Sequence, residues 1–219
     1  MPYHGGPQRI FQRAETATFF GREIGLMYTH AHLRYAQALA HVGRAEEFFG
    51  ALCQANPIGI RSVVPTATLR QANCYYSSSD AAFADRYQSR TEYGRVRAGT
   101  IPLDGGWRVY SSGAGIALAL TLRHFLGLTW GATALCVDPV MPVSLDGMRV
   151  KMPIGSHPLE VTYRVGTSGC GVNDIVLNGE RLPFAREANP HRRGAARVAI
   201  AAVLDRLTRS RNTLAIDLG

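Results

Sequence analysis

Leu159-Glu160-Val161-Thr162-Tyr163-Arg164-Val165 alternates apolar and polar residues at every step. Successive side chains leave a strand on opposite faces, so this period of two describes a strand with one face in a core and the other in water. The flanking sequence agrees. Residues 175–182 set Asn178-Gly179 between apolar flanks, the pair a tight hairpin turn needs because both central residues take positive φ. Residues 148–154 and 213–218 supply further short strands, and 195–204 fits a strand or a helix equally well. Residues 141–219 are therefore expected to form a small antiparallel β-sandwich.

Upstream of residue 140 the period lengthens. A helix is expected over 29–42, with Thr29 able to cap it, Leu33, Ala36, Leu39 and Ala40 on one face, and Gly43 as its stop. A second, over 44–55, should bury Phe48, Leu52 and Ala55 and end at Asn56-Pro57, since a residue before proline avoids the α region. A third, over 114–126, is apolar on nearly every side and is expected to be an inner, buried helix. Between them, 58–107 reads as a long loop holding NCYYSSSD (73–80) and the tyrosines Tyr75, Tyr76, Tyr87 and Tyr93. Rings and short hydroxyls suit a carbohydrate, whose faces pack on rings while its hydroxyls exchange hydrogen bonds.

Composition narrows the function classes. With 46% hydrophobic and 18% charged residues in 219, the chain is an ordinary globular protein and not a disordered one. Its apolar stretches, such as 116–122, are too short to cross a bilayer, so no membrane segment is expected in this chain. The first residues lack an apolar core, so no signal peptide is expected. Net charge is +8, yet Lys151 is the only lysine and the arginines are scattered. Arg192, Arg193, Arg206, Arg209 and Arg211 form the only dense groups, and without interleaved aromatics they read as a solvated surface, not a nucleic-acid interface. Cys53, Cys74, Cys136 and Cys170 have no C-x-x-C spacing; they are expected to be reduced and buried, with no metal site.

GREIGLMYTHAH (21–32) concentrates Arg22, Glu23, Tyr28, Thr29, His30 and His32 at the mouth of the first helix. An arginine, a carboxylate, hydroxyls and imidazoles together can hold sugar hydroxyls and an oxyanion, whereas a packed core would have to satisfy each of them. The competing reading is a polar helix start with two incidental histidines.

YTHAH (28–32), QANPI (54–58), GGWRVYSSGAG (105–115), FLGL (125–128) and VDPVMP (137–142) occur in the order found in family 94 glycoside phosphorylases, which the chain resembles over about residues 20–219. ALCQANPIGIR (51–61) and RQANCYYSSSDAAFADRY (70–87) look most like the carboxy-terminal region of the cyclic β-1,2-glucan synthases in that family. The resemblance implies an α+β chain: a segment 1–20 that matches nothing, the distal part of an (α/α)6 toroid over 21–140, and the β-sandwich over 141–219.

The family's implied chemistry is inverting glycosyl transfer, with no cofactor and with inorganic phosphate as a co-substrate. Phosphate attacks the anomeric carbon while an aspartic acid protonates the leaving oxygen. By resemblance phosphate is held by His30 and by Ser111 and Ser112, which stand where the family has Thr and Gly; a family glutamine is replaced near Ser78. Arg22 and Glu23 match a pair that contacts the acceptor-side sugar. The family's general acid lies well upstream of the YTHA motif, and Asp80, Asp85 and Asp104 do not match it. The proton donor is therefore expected in an upstream remainder of the same polypeptide, on the cytoplasmic side of a bacterial inner membrane, with little turnover from this chain alone. The expected partner is a β-1,2-glucan or gluco-oligosaccharide. A non-catalytic glucan-binding or scaffold role is the competing class.

Overall fold

The computed structural model of the chain describes residues 20–21, 29–55, 68–69, 80–81, 83–84, 86–105 and 111–219. It begins with β1 (Phe20–Gly21), the paired helices α1 (Thr29–His41) and α2 (Ala45–Ala55), and β2 (Thr68–Leu69) and β3 (Asp80–Ala81). Then come α3 (Arg86–Glu92), α4 (Gly94–Arg97), β4 (Leu103–Gly105) and α5 (Ser111–Leu120), which runs on into a π-helical turn, Thr121–Phe125. The remainder is mostly strand: β5 (Leu128–Trp130), β6 (Ala134–Val137), β7 (Arg149–Ile154), β8 (His157–Val165), β9 (Val172–Leu177), β10 (Glu180–Arg181), β11 (Ala185–Arg186) and β12 (Ala196–Ala199). A short helix, α6 (Ile200–Leu204), and β13 (Asn212–Leu218) complete an α+β chain. Among the described residues no helix is long and apolar enough to cross a membrane.

The chain divides into two compact units, residues 1–35 with 51–118, and residues 36–50 with 119–219. In the first, β1, β3, β4 and β2 hydrogen-bond in that order, and Phe83 and Ile101 are buried. The segment 86–97, expected to be loop, is helical. Local polar contacts sustain it: Gln88 donates to Glu92 at 3.2 Å, and Arg95 pairs with Glu92 at 2.5 Å. These stabilise a helix without the apolar period that would announce it.

The second unit holds the main core. One sheet runs β10-β9-β13-β8-β7 and the other β11-β12-β6-β5. Leu135, Val137, Ala196 and Val198 of the second bury against Leu159, Val161, Tyr163, Ile175, Leu177, Leu214 and Ile216 of the first. The alternation of β8 is realised as read, with Leu159, Val161, Tyr163 and Val165 inward. Asn178 (φ 52) and Gly179 (φ 88) form the expected hairpin turn between β9 and β10. The 195–204 ambiguity resolves into both answers, strand to Ala199 and helix from Ile200.

Two expectations fail here. The larger sheet is mixed, because β13 runs parallel to β8 while lying antiparallel to β9. The fully buried Asn212 explains it: its Nδ2 donates to Pro158 O (2.9 Å) and Thr208 O (3.0 Å), and its Oδ1 accepts from Thr208 N (2.8 Å). The start of β13 is thereby fastened beside the start of β8, so the two strands run the same way. The third helix begins at Ser111, turns π-helical at Thr121, and is not sealed: Leu118 is 60% exposed and Leu122 39%. Its buried residues Gly113 and Leu120 are two turns apart, so only one stripe faces inward.

α1 ends in a Schellman motif. Gly43, at φ 77, donates to Ala40 O, and Arg44 donates to Leu39 O. Any Cβ at position 43 would also stand 2.8 Å from Arg192 Cδ. At the sandwich core, the Tyr163 hydroxyl donates to Leu126 O at 2.8 Å from a fully buried ring, and burial pushes the phenol up. Tyr163→Phe would leave that carbonyl without its partner. Urea denaturation should show a loss of about 1–2 kcal/mol with an unchanged slope.

Candidate functional site

α1 opens at Thr29, so His30 takes its second position, half-buried, in the turn whose amide donors have no helical acceptors. Such a turn carries partial positive charge and suits an anion. His32 has a different task. Its Nε2 lies 2.7 Å from Ala51 O, and a carbonyl only accepts, so His32 donates from Nε2 and ties α1 to α2. Its ring also meets Tyr35 with centroids 6.3 Å apart. Two residues turn a helix by about 200°, so His30 leaves α1 on the side away from this strut. Of the polar set in 21–32, Arg22, Glu23 and Tyr28 lie outside the described residues.

Ser111 and Ser112 are the first two residues of α5, a second helix start whose amides have no acceptor within the helix. The small sheet of the first unit aligns other residues of interest. Gly21, the residue before Arg22, pairs with Asp80, Asp80 with Asp104, and Asp104 with Thr68. This cross-strand row joins the start of the 21–32 segment to two aspartates distant from it in sequence. Ser78, Asp85, Tyr75 and Tyr76 lie outside the described residues.

The second unit contains a charged cluster that sequence reasoning assigned to the surface. The Arg192 side chain is only 5% exposed. Its Nη1 and Nη2 donate to Asp138 Oδ1 and Oδ2 at 2.6 and 2.8 Å, while Nε donates to Ala40 O and His41 O at 3.2 and 3.3 Å. Burial pulls the guanidinium down, but the Asp138 hydrogen bonds and charge outweigh it and leave Arg192 above its ordinary value. Sequence spacing gave no hint, for 54 positions separate the pair.

Three more arginines of the basic tail are engaged. Arg193 donates to Asn173, Arg206 pairs with Glu180 at 2.8 Å, and Arg211 pairs with Glu160 at 2.5 Å. Among the cysteines, Cys170 is buried and Cys136 half-buried, but Cys53 is exposed, contrary to expectation; Cys74 lies outside the described residues. Cys53 falls on the outward face of α2, whose inward stripe is Ala45, Phe48, Ala51 and Ala55. Burial is the largest cause raising the Cys136 and Cys170 thiols, the opposite of what an activated nucleophile needs. Among the described residues no group of three or more His, Cys, Asp or Glu is arranged to hold a metal ion.

No protein-family model matches the chain. Among curated proteins it has a homologue in the 1,2-beta-oligoglucan phosphorylase of Listeria innocua serovar 6a, 48% identical over 193 residues and 88% of this chain. The chain spans 17% of that relative's length.

The buried pair has a direct consequence for stability. Asp138→Asn keeps the shape but leaves the Arg192 guanidinium buried without a counter-charge, and removing one partner of such a pair typically costs about 3 kcal/mol or more. Chemical denaturation should show a loss of that order, against less than about 1 kcal/mol for Glu187→Gln, which unpairs the exposed Arg197.

Proposed function

We propose that this chain is the carboxy-terminal part of a β-1,2-glucan-acting enzyme of the family 94 phosphorylase type, related to the cyclic β-1,2-glucan synthases. The observation that carries the reading is the 48% identity to a 1,2-beta-oligoglucan phosphorylase across 193 residues. In this reading α1, α2 and α5 belong to the distal part of an (α/α)6 toroid. The starts of α1 and α5 form the phosphate side of its cleft.

The chemistry follows from what those groups offer. A phosphate dianion needs converging donors, and the first turns of α1 and α5 each present amides that have no acceptor within their own helix. His30 adds an imidazole donor and Ser111 and Ser112 add hydroxyls. Arg22 and Glu23 bind the sugar on the acceptor side. A phosphate oxygen attacks the anomeric carbon, the glycosidic carbon–oxygen bond breaks, and a carboxylic acid gives its proton to the departing sugar oxygen. Attack from the opposite face converts the β linkage into α-glucose 1-phosphate. That acid belongs to the remainder of the polypeptide, matching the part of the relative that this chain does not span.

The test is a chimaera in which this chain replaces the matching 193 residues of the Listeria phosphorylase. It should release glucose 1-phosphate from β-1,2-gluco-oligosaccharides and phosphate, whereas the 219-residue chain alone should release none. In the chimaera, His30→Ala should raise the phosphate KM by about tenfold or more and leave the oligosaccharide KM nearly unchanged, as expected when one charge-assisted phosphate contact is lost. An active chimaera whose phosphate KM ignores that substitution refutes the role of His30. Turnover by the isolated chain refutes the placement of the acid.

A further inference from the structure

Residues 36–50, the end of α1, the turn after it and the start of α2, belong to the same compact unit as the sandwich. Phe49 stacks on Phe125 with centroids 5.5 Å apart, and a Cβ added at Gly169 would stand 2.7 Å from Ala45 Cβ. Arg192 makes a polar contact there: it closes the last turn of α1 through Ala40 O and His41 O while gripping Asp138 with its fork. Against this latch lie two imidazoles. His41 ends α1, and His124 sits in the π-helical turn, their rings edge to face with centroids 5.0 Å apart. His124 Nδ1 is buried and finds no hydrogen-bond partner among the described residues. A buried, unpaired ring nitrogen in a π-helical turn asks for an explanation, because such turns are costly and recur at functional sites.

We propose that the His41–His124 pair makes this latch acid-sensitive, so that protonation in the mildly acidic range frees the α1–α2 turn from the sandwich. The groups acting on His124 are His41 from α1, Arg123 from its own turn, Asp138 from the segment after β6 and Arg192 from the segment before β12. With both rings neutral, the Asp138 carboxylate answers the Arg192 guanidinium. A proton on His124 places another cation in a site with that single carboxylate and two arginines. Burial first, and then His41 alongside, hold His124 below the ordinary histidine value of about 6.5. Opening the turn hydrates the ring and removes His41 from beside it, so the open form binds the proton more readily. The sign follows: the contribution of His124 to holding the turn is complete above about pH 6.5 and is lost as pH falls below it. One proton can raise the opening constant by at most about tenfold per pH unit. Nothing in this inference depends on the glucan reading.

The experiment follows amide exchange in the whole chain by NMR at Val42, Gly43 and Arg44, whose N–H groups bond to Ala38 O, Ala40 O and Leu39 O. After correction for intrinsic rates, opening at these three amides should be constant from pH 8 to 7. Between pH 6.5 and 5 it should rise by up to about tenfold per unit. Core amides of Val161 and Ile216 should stay protected, and the His124 ring signal should titrate below the ordinary value. His124→Phe should remove the acid dependence, and His41→Gln should shift it. The proposal is overturned if the turn does not respond while His124 titrates, or if Val161 and Ile216 open in step with it. Persistence of the acid limb in His124→Phe also overturns it. Should that variant fail to fold, the wild-type ring decides, because titration at or above the ordinary value contradicts the mechanism.

Discussion

Asn212 holds a position on which the larger sheet depends. Its side-chain amide is fully buried, and it donates to Pro158 O and Thr208 O while accepting from Thr208 N and from Asn178 Nδ2. An amide left unpaired in such a place would forfeit its hydration with nothing in return. The segment from Thr208 to β13 is therefore stable in the arrangement that satisfies every one of those groups. Asn178 completes the joint from the other side, since its Oδ1 accepts from Thr213 N and its Nδ2 reaches Arg206 O. Two asparagines thus tie the hairpin turn after β9, the end of the α6 segment and the start of β8 to one point. β13 is then laid between β8 and β9 in a register that turns Leu214, Ile216 and Leu218 inward.

What was legible follows from which forces are local. Helix ends were readable within a residue or so at α1 and α2, because Gly43 and Asn56-Pro57 act through backbone conformation alone. The face of β8 was readable because a period of two states which side is buried. It does not state which strand lies alongside, and the parallel pairing with β13 was hidden for that reason. The burial of Arg192 escaped notice for the same cause: its partners Ala40 and Asp138 are distant in sequence. Of the candidate site, the position of His30 at a helix start could be read from Thr29, whereas Ser111 stood three residues before the expected start at 114 and in fact opens α5. Spacing alone does not tell His32 from His30; the YTHA resemblance singles out His30, and the structure adds that His32 bonds Ala51 O.

Of the tail arginines, Arg193, Arg209 and Arg211 lie on the surface as read, and Arg192 is the one that does not. A guanidinium offers five donors in a rigid plane and stays charged when half buried, so one residue can close a helix and hold a carboxylate together. Arg192 does this, and Arg206 repeats it by pairing with Glu180 while donating to Ala202 O. Arg186 spends its fork on two carbonyls, Gly194 O and Val172 O. These bonds fix where the cations stand without cancelling them: the +8 excess is what remains after every carboxylate is counted, and only Arg192 is withdrawn from water among the arginines of the tail.

A chain with one lysine and many such arginines gains rigidity of a particular kind. Each fork holds elements at fixed angles, and breaking one leaves a cation that is hard to neutralise, since guanidinium does not release its proton in this range. Adaptability must then come from its neighbours. Beside Arg192 stand two imidazoles, His41 at an exposed helix end and His124 partly withdrawn from water. A lysine in place of Arg192 could shed its own charge as the pH rose and would blur that contrast. With the guanidinium fixed in charge, the pH response falls to the buried ring of His124, and so to the turn it contacts.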